Sequence, residues 1–211
     1  MILPSNFQPH TADDFIGPAA DCARFLTGQL APTLREEPQP WRVVFSGPPG
    51  VGKSALAGLL TRLLGANQWN TTRFNGRQFK TEQCEHIAGQ FHFTDLFGGW
   101  RFLIVEELDT VPPDARSRLL TAVDDMPSKW IFAATTNLTR DALVQRHPAL
   151  ASRYEHFEIQ PPSDRQLMDL MAARWPAVPA AERERIAVLW AGNVRGALHE
   201  LNGHFLQARA A

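Results

Sequence analysis

Two hydrophobic patterns alternate along the chain. The first is a short apolar run that stops at glycine or at polar residues, which is typical of a buried strand; such runs occupy residues 41–47, 69–75, 101–107, 130–137 and 156–160. The second is an apolar residue at every third or fourth position, which is typical of a helix; it is clearest in the leucines at 56, 59, 60, 63 and 64, and helices are also predicted over 81–92, 113–125 and 140–147. Strands that alternate with helices predict an α/β fold in which a parallel five-stranded sheet is covered by helices on both sides.

Prolines mark the limits of this region. The polar segment Ala31–Pro40 is predicted to be a loop that leads into the first strand. After the last strand, two prolines precede Ser163 and Asp164, either of which can cap a new helix. Beyond them only helical patterns follow, over 164–174, 179–191 and 194–209. We therefore predict two domains, an α/β domain over residues 1–160 and a small all-helical lid domain over residues 161–211.

Composition narrows the classes of protein that fit this fold. Of the 211 residues, 44% are hydrophobic and 20% are charged, which is typical of a globular protein. The net charge of −1 gives no overall attraction for nucleic acid, so any DNA contact would need a local basic patch or several subunits. The two cysteines, Cys22 and Cys84, match no metal-ligand spacing. With no signal-peptide pattern and no apolar run of membrane-spanning length, we expect a cytoplasmic protein without a membrane partner.

The segment GPPGVGKS predicts a phosphate-binding loop because it follows a strand and precedes a helix. Its glycines let backbone N–H groups turn toward a phosphate, and the helix N-terminus adds partial positive charge. Lys53 can reach the β- and γ-phosphates of a nucleotide, and the Ser54 hydroxyl can bind Mg²⁺. We therefore expect a nucleoside triphosphate with Mg²⁺ to be bound by the residues of this loop and the helix start, namely Gly47, Pro48, Pro49, Gly50, Val51, Gly52, Lys53, Ser54 and Ala55.

Polar side chains end two of the predicted strands, at the edge where ligands bind in open parallel sheets. Glu106 and Glu107 follow the run FLIV, and buried carboxylates there would be costly unless they faced a cation. We predict that Glu106 binds the metal ion together with Ser54. Glu107 is predicted to orient and deprotonate the attacking water, whereas Asp109 belongs to the turn. Asn137, at the end of the next strand, either holds the lytic water or a γ-phosphate oxygen, or forms a strand-ending turn.

In this order, the motifs resemble those of the AAA+ ATPases, and among them the clamp-loader branch of replication factor C small subunits and bacterial polymerase III clamp-loader subunits. PHTADDFIG resembles the segment that packs by the adenine in this family, which implies adenine contacts for Phe15, Ile16 and Gly17. GPPGVGKS resembles the Walker A motif, and FLIVEELD resembles Walker B with Glu106 in place of aspartate. Asn137 stands at the position of sensor 1.

Two arginines receive a role from the same resemblance. PALASRYEHFEI resembles the clamp-loader segment that carries an arginine finger, which implies that Arg153 acts in trans on the γ-phosphate of a neighbouring subunit, with Arg146 as the alternative. AGNVRGALHEL resembles the sensor 2 region, which implies that Arg195 contacts the γ-phosphate of its own subunit.

The resemblance also implies that the nucleotide is ATP, bound with Mg²⁺. It further implies an ATPase that assembles with itself into a ring or partial ring and acts on a DNA replication, repair or recombination complex. Its partners would then be DNA and a replication or repair protein. Two other functions stay open: a nucleotide switch that hydrolyses ATP weakly because Glu106 disturbs the metal shell, and a machine that remodels polypeptides. The sequence ends at Ala211, soon after the predicted lid, so we expect no collar domain of the clamp-loader kind.

The segment Asn75–Trp100 is the candidate for a DNA contact. Arg77 and Lys80 could follow a phosphate backbone, and the aromatic residues after them could stack on bases. The same aromatic residues would equally suit the hydrophobic core or a subunit contact, and this alternative is the one we favour. They are Phe91, Phe93, Phe97 and Trp100.

Overall fold

A computed structural model describes residues 6–91 and 99–210 of the chain. Five strands form one sheet, and each neighbouring pair is parallel. They are β1 (Trp41–Ser46), β2 (Thr71–Asn75), β3 (Arg101–Glu106), β4 (Trp130–Thr136) and β5 (Glu155–Glu158), in the spatial order β2-β3-β4-β1-β5. The predicted parallel five-stranded sheet is therefore confirmed, with each strand within a few residues of its predicted limits.

Ten α-helices lie within the described residues. Before and between the strands are α1 (Gly17–Phe25), α2 (Ala31–Glu36), α3 (Lys53–Leu63), α4 (Thr81–Phe91), α5 (Pro113–Asp124), α6 (Arg140–Arg146) and α7 (Pro148–Ala151). After the last strand come α8 (Asp164–Arg174), α9 (Ala180–Leu189) and α10 (Val194–Ala210). Short 3-10 turns occupy Ala12–Asp14, Gly76–Gln78 and Leu108–Thr110. None of the helices in this part of the chain is long and apolar enough to cross a membrane.

The sheet is the middle layer of three, because side chains alternate between its two faces. On one face, Val43, Phe45 and Ile104 pack with residues of α1, α2 and α3. On the other face, Val44 and Leu103 pack with residues of α4 to α7. Burial on both faces explains why the central strands are apolar without interruption.

One prediction at the start of the chain was wrong. The first part of the segment predicted to be a loop, Ala31–Glu36, is the helix α2, which continues from α1 through a π-helical turn at Leu26–Leu30. A proline near the start of a helix loses no hydrogen bond, and here the N–H of Ala31 donates across the wider turn to the carbonyl of Leu26. Ala31 and Leu34 are buried against the sheet, so the apolar face of α2 has a partner.

Of the aromatic residues in Asn75–Trp100, those within the described residues belong to the core. The ring of Phe91 packs edge-on against Trp130, with 4.7 Å between ring centroids, and Trp100 is buried. Phe93 and Phe97 lie outside the described residues. For Phe91 and Trp100, the core alternative is therefore the correct one.

Helices α8, α9 and α10 form their own hydrophobic cluster around Leu167, Met171 and Ile186. Helix α8 begins with a capping box: Ser163 Oγ accepts from the N–H of Gln166, and Gln166 Oε1 accepts from the N–H of Ser163. Ser163 is therefore the cap, rather than Asp164. The division into domains at residues 160 and 161 stays a prediction, although a separate cluster after β5 supports it.

Two glycines of α10 give a matched test of packing in the lid. A Cβ on Gly196 would lie 2.1 Å from the Trp190 ring, whereas a Cβ on Gly203 would meet nothing within 4 Å. We expect Gly196→Ala to lower the free energy of unfolding by about 1–3 kcal/mol through overpacking. Gly203→Ala should raise it by roughly 0.5–1 kcal/mol, because alanine favours the helix. Urea denaturation followed by circular dichroism measures both; equal or greater stability of Gly196→Ala would contradict the packing.

Candidate functional site

Three loops meet at the carboxyl edge of the sheet, where ligands bind in open α/β folds. They follow β1, β3 and β4, and β4 lies between the other two strands. The loop after β4, which begins at Asn137, therefore lies between the glycine loop and the acidic residues Glu106 and Glu107. The strand order thus brings together the residues that were predicted from the sequence to bind phosphate, to bind the metal ion and to position the attacking water.

The glycine loop needs its glycines for two physical reasons. Gly47, Gly50 and Gly52 have φ values of 135°, 82° and 103°, in the left-handed region that L-residues rarely adopt. The backbone also approaches its neighbours closely: a Cβ on Gly47 would lie 2.2 Å from the carbonyl oxygen of Ile159, and one on Gly50 would lie 1.8 Å from Asn193 Oδ1. The loop then enters α3 at Lys53, whose N-terminus favours an anion.

Lys53 is buried beneath this loop. Its Nζ donates to the carbonyl oxygens of Gly47 and Pro48, both at 2.7 Å, and to Asn137 Oδ1 at 3.0 Å. Burial lowers the pKa of Lys53 to about 8, with a further lowering from the charge of Arg195 that Asp109 opposes. Two residues predicted separately, Lys53 and Asn137, are thus in direct contact.

A cavity of about 340 Å³ opens beside the loop. Its walls come from the N-terminal segment, from the glycine loop with α3, and from the lid. Residues predicted to bind nucleotide that line it are Phe15, Ile16, Gly50, Val51, Gly52, Ser54, Ala55 and Arg195. Gly17 lines an adjacent groove instead, because it packs against Pro162 and Gln166. The apolar side chains in the walls would suit a nucleotide base.

The lid contacts the glycine loop directly. Asn193 caps α10, with its Oδ1 accepting from the N–H of Gly196 at 2.9 Å. The N–H of Arg195 donates to the carbonyl oxygen of Gly50 at 3.3 Å. The start of α10 therefore lies against the phosphate loop, and Arg195 is in a position to reach a bound phosphate.

Glu107 has an unusual backbone. Its φ and ψ are 54° and 51°, a left-handed conformation that is uncommon for glutamate and is frequent at functional sites. The carbonyl oxygen of Glu107 accepts from Thr110 Oγ1 at 2.7 Å, and its N–H donates to Thr135 Oγ1 at 3.3 Å. Its carboxylate Oε2 lies 3.5 Å from Nε of Arg77.

Glu106 is held by a different arginine. Its Oε1 accepts from Nη1 of Arg73, on the neighbouring strand β2, at 3.0 Å. The side chains of Arg73 and Glu106 are 43% and 32% exposed, so the pair is only partly shielded from water. The two adjacent glutamates therefore have separate partners and separate surroundings.

Asp109 lies in the 3-10 turn after β3, as predicted, and it also joins two parts of the site. Its Oδ1 accepts from Thr136 Oγ1 at 2.6 Å, directly before Asn137. The negative charge of Asp109 also acts on Lys53, whose pKa it raises.

Arg153 lies away from this site. It precedes β5, at the amino edge of the sheet, where Nε donates to Asp124 Oδ2 at 2.9 Å and Nη1 donates to the carbonyl of Ala149 at 3.0 Å. The alternative finger, Arg146, is exposed in the last turn of α6. The structure therefore does not bring Arg153 to the phosphate loop of its own chain.

Sequence reasoning missed several residues of the cavity. Leu198 and His199 lie three and four positions after Arg195 on one helix, so the helical repeat could have indicated them. Phe7 and Leu170 come from the N-terminal segment and from α8, and only tertiary packing brings them to the cavity. Arg73 carried no motif signal, because its role depends on the register of β2 against β3.

The donor atoms at the carboxyl edge fit Mg²⁺. The Ser54 hydroxyl and the Glu106 carboxylate are the hard oxygen ligands that Mg²⁺ prefers. Within the described residues, no group of three or more His, Cys, Asp and Glu side chains could hold a metal ion by itself. A metal here would therefore take further ligands from a nucleotide, which is typical of Mg²⁺ bound with phosphates.

A strand, a glycine loop and a helix, with acidic residues and an asparagine at the same sheet edge, define a P-loop nucleoside triphosphatase of the AAA+ class. The chain belongs to the ATPase family associated with various cellular activities (AAA), whose sequence model matches residues 43–161. It is therefore a nucleotide-binding ATPase, and the predictions of the AAA+ class and of an enzyme are confirmed.

Solved structures share the fold at low sequence identity. A RuvB variant from Thermotoga maritima has a TM-score of 0.72 at 22% identity, covering 92% of this chain and 63% of its own. Another Thermotoga maritima structure, described as the RuvB Holliday junction branch migration motor, has a TM-score of 0.69 at 23% identity, with coverages of 92% and 63%. The Orc1 protein of Aeropyrum pernix in complex with DNA has a TM-score of 0.69 at 21% identity, with coverages of 95% and 62%.

This chain thus spans about 63% of the length of these RuvB structures. At such identities the likeness shows the fold. The narrower assignment to the clamp-loader branch is not decided by it and stays a prediction.

The lowered pKa of Lys53 predicts how nucleotide binding depends on pH. Only the protonated amine attracts phosphate, so affinity for a non-hydrolysable ATP analogue should fall as the pH rises through about 8. Above that pH the fall approaches about ten-fold per pH unit. Titration calorimetry across this range measures it. The control is Lys53→Arg, whose guanidinium stays charged and should bind more weakly but without a break near pH 8; a flat profile for the unaltered protein would contradict the assignment.

Proposed function

We propose that this chain is an ATP-hydrolysing AAA+ protein of the clamp-loader type. It associates with further copies of itself and couples ATP turnover at subunit boundaries to the assembly or remodelling of a DNA replication, repair or recombination complex. The observation that carries this proposal is the separation of the catalytic groups. The groups for phosphate, metal and water meet at the carboxyl edge of the sheet, whereas Arg153 lies at the amino edge.

Within one subunit, each side chain at the carboxyl edge has a distinct task. The backbone of the glycine loop and the ammonium of Lys53 bind the phosphates, and Phe15 and Ile16 form part of the wall for the base. Asn137 orients the attacking water or a γ-phosphate oxygen, and its contact with Lys53 fixes the amide. The carboxylate of Glu107 accepts a proton from that water.

Two further groups complete the proposed active site. Ser54 and Glu106 would hold Mg²⁺ together with the nucleotide, and the ion would supply positive charge that offsets the charge on the phosphates. Arg195 contacts the γ-phosphate from the lid, which supports a link between nucleotide state and lid position because α10 lies on Gly50. Arg153 supplies positive charge to the γ-phosphate of an adjacent subunit, a contribution of roughly 10³–10⁵ in rate in related chemistry.

The proposed action on DNA complexes is supported by the class of protein with this fold. One similar structure is described as a Holliday junction branch migration motor and another as a complex with DNA. The net charge of −1 argues that one subunit alone attracts DNA weakly, so contact would come from exposed basic residues such as Arg77 and Lys80 repeated in an assembly.

The contact between Arg73 and Glu106 favours a second candidate function. If this ion pair persists in the nucleotide complex, Glu106 is a poor metal ligand and hydrolysis is slow. The chain would then bind ATP and assemble, and it would act as a nucleotide switch rather than as a motor. Slow turnover that Glu106→Asp accelerates would support the switch, and brisk turnover of the unaltered protein would remove it.

Mixing two inactive variants tests catalysis at subunit boundaries. Glu107→Gln should bind ATP and not hydrolyse it, and Arg153→Ala should lose roughly 10³-fold or more in rate. In an equal mixture, a functional boundary forms where an Arg153→Ala subunit holds the ATP and a Glu107→Gln subunit supplies the arginine. Random assembly should restore roughly a quarter of the unaltered rate.

Steady-state phosphate release measures this recovery. Arg118→Ala removes an exposed arginine whose partner is Glu85 rather than any of the proposed catalytic groups, and it should leave the rate unchanged. A mixture that stays inactive although both variants bind ATP would contradict action in trans. Full activity of Glu107→Gln would contradict its role as base.

If the protein acts on DNA complexes as proposed, DNA should stimulate its ATP hydrolysis. Turnover and oligomer mass, the latter by light scattering, should both rise when single-stranded or primed DNA is added to protein with Mg²⁺ and ATP. Because phosphate contacts are electrostatic, the stimulation should decrease as salt increases. Stimulation by an unfolded polypeptide and none by DNA would instead support a protein-remodelling machine.

A further inference from the structure

We propose that Arg73 competes with the divalent cation for Glu106 and thereby sets the cation concentration that the nucleotide complex requires. In the absence of the cation, the guanidinium of Arg73 pairs with the carboxylate of Glu106. When the cation binds to this carboxylate, it displaces the guanidinium. This inference rests on the proposed function, because it requires a nucleotide and a divalent cation at the carboxyl edge of the sheet.

The register of the sheet places the two groups together. In the parallel pair of β2 and β3, Arg73 is opposite Ile104 and Asn75 is opposite Glu106. Arg73 and Glu106 are therefore diagonal neighbours on one face, a separation that long side chains can bridge. That face is the one packed against α3, because Ile104 belongs to the same cluster as Leu56 and Leu59. The guanidinium thus reaches Glu106 on the α3 face of the sheet, from the β2 side of β3.

The contact depends on the length of the side chain at position 106. An aspartate there would hold its carboxylate about 1.5 Å closer to the backbone, the length of one carbon–carbon bond. Strand β3 is paired on both sides, by β2 and β4, so its backbone cannot move to make up the difference without breaking ladder hydrogen bonds. The glutamate at position 106 and its arginine partner are therefore connected features of this chain.

Exposure limits the strength of the competition. Ion pairs between partly exposed side chains change an equilibrium constant by up to about five-fold. The side chain of Arg73 is 43% exposed and that of Glu106 is 32% exposed, so this five-fold limit applies to their ion pair. The arginine should therefore raise the cation requirement by a small factor, and it should not prevent binding of the cation.

The neighbouring glutamate has its own arginine. Arg77 lies 3.5 Å from Glu107, whereas Arg73 is bonded to Glu106 at 3.0 Å. The two arginines therefore act on different carboxylates, one proposed to bind the metal and the other proposed to be the base. A change at Arg73 should consequently alter the response to the cation.

The test compares nucleotide affinity with and without Mg²⁺. A fluorescent, non-hydrolysable ATP analogue is titrated in EDTA and again in saturating Mg²⁺, and the ratio of the two Kd values is the coupling between nucleotide and cation. We expect Arg73→Gln to increase this coupling about two- to five-fold, because the carboxylate is no longer shared. Arg118→Gln removes the same charge from another arginine–glutamate pair, Arg118 with Glu85, and should leave the coupling unchanged.

Repeating the Arg73→Gln substitution in a Glu106→Asp protein shows whether the effect depends on the ion pair. In Glu106→Asp the shorter carboxylate does not reach Arg73, so adding Arg73→Gln should change the coupling no further. An equal increase in both backgrounds, or no increase with the unaltered Glu106, would overturn the inference while leaving nucleotide binding intact. Failure of the unaltered protein to bind the analogue in either condition would instead refute the proposed function. Thermal denaturation of each variant confirms that it is folded.

Discussion

The close approach of the glycine loop to its neighbours is the constraint on which the rest of the site depends. Gly47 lies against the Ile159 carbonyl and Gly50 against Asn193, at separations that leave no room for a side chain. Ile159 follows the last strand, and Asn193 caps the last helix. One loop of the chain therefore fixes both the end of the sheet and the position of the lid. The carbonyls of the same loop hold Lys53, so its conformation also determines where the positive charge lies.

Charge balance accounts for much of the remaining geometry. Burial and the nearby charge of Arg195 both disfavour the protonated form of Lys53. The negative charge of Asp109 favours that form and offsets part of the effect. Each of the adjacent glutamates has an arginine from β2 or from the turn after it. Glu106, Glu107 and Lys53 thus each have an opposite charge nearby. A nucleotide and its metal ion would add charges of both signs to this arrangement, next to pairs that already exist.

The sequence was sufficient for those features that local physics determines. The period of apolar residues located the strands, and the phosphate loop could be recognised because glycines, lysine and serine stand between a strand and a helix. Helix α2 was missed because a proline and several polar residues conceal a buried face of only Ala31 and Leu34. The partner of Glu106 could not be predicted either. It depends on which residue of β2 lies diagonal to it, and β2 is separated from β3 by 25 residues of sequence.

Arg153 is too far from the glycine loop of its own subunit to contact a phosphate bound there. Glu155 is opposite Val43 in the pairing of β5 with β1, so Arg153 lies two residues before that level and Gly47 four residues beyond it. Val43 and Gly47 are four residues apart at about 3.3 Å each, roughly 13 Å, and Arg153 lies in the turn before β5, on the amino side of that level. An extended arginine side chain is much shorter than this, so no rotamer of Arg153 brings its guanidinium to the phosphates of its own subunit. If Arg153 contributes to hydrolysis, a second copy must hold the nucleotide, and catalysis then depends on assembly.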